Sequence, residues 1–191
     1  MARFLDGADD EIQCSDHASL NGLTTGTVAF RWKPNYSGSP GSTKGLYSKS
    51  HTATSVALYG AYHYTDGGLY HHLNGGGGLG VGTFSPTSGT WYAFVFLWDG
   101  SYVKCYINGS FNGQASTSSG SGSNTRPFFI GAYVYNSEVG KQRGSGDFAE
   151  FAVWKNAVLT VDEMIALSKG LTANRIRPEK LSLYCPLWGI G

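Results

Sequence analysis

The chain has 191 residues, of which 41% are hydrophobic, 14% aromatic and only 14% charged, with a formal net charge of +1. That balance excludes an intrinsically disordered chain, which needs low hydrophobicity and high net charge. The scattered basic residues, densest at Arg175, Arg177 and Lys180, do not make the stripe of a nucleic-acid binder.

The first twenty residues carry Asp6, Asp9, Asp10, Glu11 and Asp16 and no basic start followed by an apolar run, so no secretory signal is expected. Residues 4–14 open with a strand-like piece that Asp6-Gly7 breaks. Residues 27–33 read as a strand with Val28, Phe30 and Trp32 on one face, ended by Pro34. A Ser/Gly/Pro loop follows over 36–43, then a short strand over 45–50. Between 55 and 65, Val56, Leu58, Gly60, Tyr62 and Tyr64 alternate with Ala57, Tyr59, Ala61 and His63. Asp66-Gly67 is a hairpin signal, 68–73 the return strand, and 75–78 a flexible loop or strongly bent edge.

Residues 90–98 are apolar on both faces, which predicts a central strand covered on both sides. This is the longest apolar run, far short of the roughly 18 residues that span a bilayer. Asp99-Gly100 and Asn108-Gly109 turn the chain at either end of 101–107, whose Val103, Cys105 and Ile107 face inward. A Ser/Gly loop spans 116–124, a strand 127–135, and a polar loop runs on to Gly146. Over 147–154, Phe148, Glu150, Ala152 and Trp154 alternate with Ala149, Phe151 and Val153. One segment is helical: Thr160 with Glu163 three residues on makes a capping box, and Gly170 stops the helix. A last strand covers 181–188. Ten or more short strands, three hairpin turns and one helix predict an all-β antiparallel sandwich or barrel, a single domain over 1–191.

Cys14, Cys105 and Cys185 are too few and too far apart for a disulfide framework or a zinc knuckle. They read as buried thiols acting as small apolar residues, with Cys14 and Cys185 neighbours if the terminal strands pair.

Several stretches, taken in order, resemble one family. Residues 4–12 (Phe-Leu-Asp-Gly-Ala-Asp-Asp-Glu-Ile) are similar to the opening of laminin-G-like, concanavalin A-like lectin/glucanase domains. Residues 27–34 resemble their second strand, 91–109 their most typical hairpin, and 129–132 and 146–154 their late strands. The resemblance implies a jelly roll of two large antiparallel sheets, one of them concave, with a short helix near the C-terminus. The tail, 176–189, is similar to endings of such domains encoded by tailed bacteriophages. That likeness implies a non-enzymatic structural protein of a virion, as capsid decoration or tail-associated subunit. Such a protein would be assembled in the host cytoplasm, in contact with capsid or tail proteins and as a homo-oligomer in one version. The alternative is a free carbohydrate-binding lectin module.

Three kinds of site follow. Glucanases of the superfamily place carboxylates in a Glu-x-Asp-x-x-Glu arrangement on one strand face; here only Asp147 and Glu150 remain, three apart, so on a regular strand they face opposite ways and offer no retaining pair. Calcium wants six to eight oxygens, and Asp6, Asp9, Asp10 and Asp147 occupy the family's acidic positions, although turn aspartates also serve their own backbone. His63 could meet only one of the adjacent His71 and His72, so zinc is not expected. For glycan or partner binding, the segment 59–74 is dense in rings and polar groups: Tyr59, Tyr62, His63, Tyr64, Asp66, Tyr70, His71, His72 and Asn74. Tyrosines are also ordinary sheet residues, and half of them would be core or cross-strand pairs.

Overall fold

A computed structural model describes residues 2–49, 58–74, 76–135 and 140–187. In chain order the strands are β1 (Arg3–Leu5), β2 (Ile12–Cys14), β3 (Gly26–Pro34), β4 (Lys44–Lys49), β5 (Tyr59–His63), β6 (Gly68–Leu73), β7 (Leu79–Thr83), β8 (Tyr92–Trp98), β9 (Tyr102–Ile107), β10 (Ser110–Ser116), β11 (Phe128–Ile130), β12 (Ala132–Tyr135), β13 (Gly140–Arg143), β14 (Gly146–Lys155) and β15 (Leu181–Cys185). One helix, α1 (Val161–Ser168), precedes β15. Seven strands form one antiparallel sheet in the order β1-β14-β3-β8-β9-β10, with β15 also paired to β14. Six form the other, β2-β11-β4-β5-β6-β7, and β12-β13 is a separate hairpin. The fold is the all-β, two-sheet sandwich that the alternation predicts.

The inner faces meet in a layer of rings. Phe30 on β3 lies 5.4 Å from Phe94, 5.4 Å from Phe151, 6.0 Å from Tyr47 and 6.1 Å from Phe148, ring centre to ring centre. Each such pair contributes about 0.5–1.5 kcal/mol beyond the area it buries. The buried indoles keep their N–H groups satisfied: Trp32 donates to the Ser145 carbonyl at 3.0 Å, Trp98 to Leu23 at 3.3 Å and Trp154 to Ile176 at 2.7 Å.

β8 is central, as its two apolar faces predict. Phe94, Phe96 and Trp98 enter the interlayer, while Val95 and Leu97 lie under α1 with Ala152, Trp154, Met164 and Leu167. The capping box is present: the Glu163 amide donates to Thr160 Oγ1 and the Thr160 amide to Glu163. Arg31 reaches from β3 to the other helix end and donates to the Leu167 and Ser168 carbonyls at 3.0 and 3.3 Å.

Four expectations are corrected. The predicted strand over 127–135 is two strands, broken at Gly131, whose φ of +73° only glycine adopts cheaply. The polar stretch that follows contains β13, which pairs with β12 from Ala132↔Arg143 to Tyr135↔Gly140. The alternation over 147–154 is interrupted at Glu150, φ +53°, where the pairing with β3 slips between Ala149 and Ala152. This bulge puts Phe148 and Phe151, three apart, in the same interlayer. The terminal strands do not pair with each other, since β1 and β15 both join β14 and β2 joins β11. Parts of the expected strands at 50 and 55–57, position 75 and the end from Trp188 lie outside the described residues.

The β12-β13 hairpin lies on the outer side of β4, and a Cβ at Gly45 would collide with the Tyr133 amide nitrogen and the Gln142 carbonyl. Gly45→Ala is therefore expected to cost about 1–3 kcal/mol in urea unfolding, as overpacking does, with enhanced proteolysis confined to the hairpin. Unchanged stability would show that the close approach is not required.

Candidate functional site

Two properties of β5 and β6 build the site. The Asp66-Gly67 turn joins them in register, with Tyr62 opposite Tyr70 and Ala61 opposite His71. Asp66 fixes the turn by accepting from the Gly68 amide at 2.6 Å and from the Tyr70 hydroxyl at 3.2 Å. Alternation then sends Tyr59, Ala61 and His63 of β5, and Leu69, His71 and Leu73 of β6, into the core. Tyr62, Tyr64, Tyr70 and His72 go to the outer face.

On that outer face the rings touch. Tyr62 stacks on Tyr70 at 5.4 Å with 10° between planes, and Tyr64 meets Tyr70 edge-on at 5.8 Å. Tyr133, from the β12-β13 hairpin, closes one side at 4.9 Å from Tyr62 and 5.2 Å from His72. Tyr64 is 42% exposed and Tyr62 and Tyr70 half-buried, whereas His72 and Tyr133 are buried beneath. The His72 Nδ1 lies 2.8 Å from the Gly76 carbonyl, which can only accept, so Nδ1 carries the proton and Nε2 accepts from the Tyr62 hydroxyl at 3.4 Å. Burial holds His72 below its ordinary pKa and so neutral near pH 7. Burial, with Tyr70 and Tyr64 close by, pushes the Tyr62 hydroxyl up to about 12. The patch is thus uncharged apart from Asp66: three ring faces with hydroxyls, one carboxylate and an oriented imidazole beneath.

Of the nine residues singled out for binding, Tyr62, Tyr64, Asp66, Tyr70 and His72 come together here. Tyr59, His63 and His71 do not, because they stand on the inner face and are fully buried. The Tyr59 hydroxyl donates to the Leu20 carbonyl at 3.1 Å, and His63 Nδ1 bonds the Tyr36 hydroxyl at 2.8 Å. Asn74 ends β6 at φ +50°, a turn position. The sequence reading missed Tyr133, whose segment offered only an isolated aromatic distant in the chain.

The aspartates do not assemble into a cation cradle. Asp6 Oδ1 accepts from the Ala8 amide at 2.7 Å and the Asp9 amide at 3.4 Å, and Asp10 accepts from the Asp6 amide at 3.2 Å. Asp147 is paired with Lys33 Nζ at 2.6 Å. Among the described residues, no three His, Cys, Asp or Glu side chains are grouped to hold a metal ion. These carboxylates serve turns and an ion pair, so calcium does not fit them. The bulge also corrects the placement of Glu150: it bonds the Tyr184 hydroxyl at 2.8 Å on the helix-bearing side of the sheet, the side on which Asp147 meets Lys33. The two carboxylates share a face after all, each held by its own partner.

A second polar groove, lined by Asp16, Asn21, Asn124 and Lys155, lies at one end of the sandwich. Its groups are largely spent on one another. Asp16 pairs with Lys49 and accepts from Asn21 at 2.9 Å, and Lys155 donates to the Asn21 carbonyl at 2.7 Å.

Residues 6–164 match the concanavalin A-like lectin/glucanases superfamily. The chain belongs to this family. Similar solved structures include a putative carbohydrate binding protein from Bacteroides ovatus, with TM-score 0.71, 17% identity, and 94% of this chain covering 49% of that one. Domain 4 of AbnA, a GH43 extracellular arabinanase from Geobacillus stearothermophilus in complex with arabinotriose, aligns with TM-score 0.64 and 16% identity over 87% of this chain and 76% of that one. The SAP-like pentraxin of Limulus polyphemus aligns with TM-score 0.61 and 19% identity over 76% and 70%. The chain spans about half the length of the Bacteroides protein. At these identities the likeness shows the fold alone. No curated protein matches the sequence.

The superfamily core of this chain carries a polar anomaly. His71 is fully buried between Tyr47, Phe96 and Trp98, and neither ring nitrogen has a partner among the described residues. Burial lowers its pKa from 6.5 to about 3, so the fold holds it neutral. Above pH 6.5 neither state binds the proton and stability is complete. As pH falls from 6.5 towards 3 the unfolded chain is protonated first, and stability drops by about 1.4 kcal/mol per pH unit for this group. His63 and His72, also lowered by burial, add to the same trend. His71→Phe is expected to remove about one proton's worth of that slope in unfolding measured from pH 7 to pH 4; an unaltered slope would show that His71 does not titrate on unfolding.

Proposed function

We propose that this chain is a non-catalytic lectin-like module that binds a neutral glycan on the outer face of its six-stranded sheet. The observation that carries the reading is the exposed ring cluster of Tyr62, Tyr64 and Tyr70 around Asp66. Flat aromatic faces accept the apolar C–H side of a pyranose. The tyrosine hydroxyls and the spare lone pairs of Asp66 meet sugar hydroxyls, as polar groups placed in an apolar site do. No cation is needed for that contact. A catalytic reading is disfavoured by the carboxylates, since Asp147 is neutralised by Lys33 and Glu150 is tied to Tyr184.

A narrower proposal is that the module rides on a bacteriophage particle, as capsid decoration or tail-associated subunit. It rests on the resemblance of residues 176–189 alone. A free lectin module accommodates the fold and the patch equally well, and co-purification with particles at fixed stoichiometry separates the two.

A glycan array followed by titration calorimetry tests the binding proposal. Tyr64→Ala and Tyr70→Ala are each expected to weaken the selected glycan about tenfold or more, as loss of an anchor ring does. Tyr102→Ala, at an exposed ring on the other sheet, should leave affinity unchanged. Retained affinity in both patch variants would remove the patch from the binding site, and an array with no bound glycan would sink the lectin reading.

A further inference from the structure

Two of the three cysteines stand apart from the third. Cys105 on β9 is fully buried, and burial pushes its thiol up. Cys14 on β2 and Cys185 on β15 are half-buried, both pack against the rim of the main core, and each thiol shifts the ionisation of the other, as close neighbours do. The strands that carry them belong to different sheets. β2 is the outermost strand of the six-stranded sheet, pairing Cys14 with Phe128 of β11. β15 lies on the outer edge of β14, pairing Cys185 with Phe151. The rings of Phe128 and Phe151 are themselves in contact across the interlayer, 5.6 Å apart. The thiols are therefore brought to a shared seam at which both sheets end.

We propose that Cys14 and Cys185 form a reversible disulfide that bolts the two sheets together along this edge. The oxidant is a low-molecular-weight disulfide of the glutathione class. The Cys185 thiolate attacks one of its sulfurs, forming a mixed disulfide and releasing one small thiol. Cys14 then gives up its proton and attacks Cys185 Sγ, expelling the second small thiol. Two protein thiols are oxidised and one small disulfide is reduced to two thiols. The influence of each thiol on the other suits this order. It favours the thiolate at Cys185, lowered to about 7, and opposes ionisation of Cys14 until its partner is consumed. Neither strand has to separate, because both thiols already pack at the same seam.

The bond would close a loop over nearly the whole chain, the case in which cross-linking restrains the unfolded ensemble most. It would also fasten two edge strands, the elements that open first in local unfolding.

The test uses the full chain, oxidised with glutathione disulfide under native conditions. Thiols counted in denaturant are expected to fall from three to one. Non-reducing peptide mapping is expected to join the Cys14 and Cys185 peptides in a monomer, and the melting temperature to rise by several degrees, reversed by dithiothreitol. Cys14→Ser is expected to keep an intramolecular bond from forming and to abolish the rise. Three thiols remaining in the oxidised chain, a bond to Cys105, a stable glutathione adduct or a cross-linked dimer in place of the internal bond would each overturn the proposal. The glycan patch lies on another face, so either result leaves the proposed function standing or falling on its own test.

Discussion

The dry layer of rings between the sheets is the constraint on which the rest of the molecule depends. Phe30 is in ring contact with Tyr47, Phe94, Phe96, Phe148 and Phe151, drawn from three other strands. Such a layer tolerates no unpaired charge. Among the described residues its one buried cation, at the edge, is Lys49, whose ammonium is held by Asp16 and by the Arg126 carbonyl. Burial lowers the Lys49 pKa while Asp16 opposes that shift, so the pair is kept ionised by its own contact. Removing one partner of such a pair strands the other and costs more than the pair itself contributes.

The same layer fixes which side chains are left for function. Once Tyr59 and Ala61 of β5 enter it, the pleat obliges the residues next to them to face out. Tyr62 and Tyr64 face outward for that reason, and Tyr59 and His63 do not. The segment 59–74 was legible in the sequence as ring-rich. Its phase was not, because tyrosine and histidine occur on both faces, and a pattern with aromatics at odd and even positions carries no binary signal. The register of the Asp66-Gly67 hairpin only pairs Tyr62 with Tyr70; burial against the opposing sheet decides which way both point.

Most of the fold was legible for the converse reason. Strands such as β3 and β9 alternate cleanly, and β8 announces its central place by being apolar on both faces. The alternation fails where the backbone leaves the regular pleat. At Glu150 a residue in the left-handed region adds one position, and Phe148 and Phe151 then share a face that simple alternation assigns to opposite sides. Nothing in an isolated Glu marks a bulge. At 140–143 the strand is composed of Gly, Lys, Gln and Arg, without an apolar face, since it is held from outside. Glu11 binds both Lys141 and Arg143, so the strand is specified by a carboxylate about 130 residues away.

The two outer faces are not equivalent, and this asymmetry argues for the location of binding. On the seven-stranded sheet α1 and the turns after it roof Val95, Leu97, Ala152 and Trp154, so that part of the face is consumed by the chain's own packing. On the six-stranded sheet the β12-β13 hairpin packs over β4, and its Tyr133 flanks Tyr62 and His72. The rings of Tyr62, Tyr64 and Tyr70 are already fixed against one another and against His72, so a ligand meeting them orders few additional rotors. Preorganisation of that kind raises affinity by lowering the entropy lost on association rather than by adding contacts. A sheet face whose rings brace each other, next to a hairpin that shields one flank, is therefore better suited to holding a small rigid ligand than an equal number of isolated surface tyrosines.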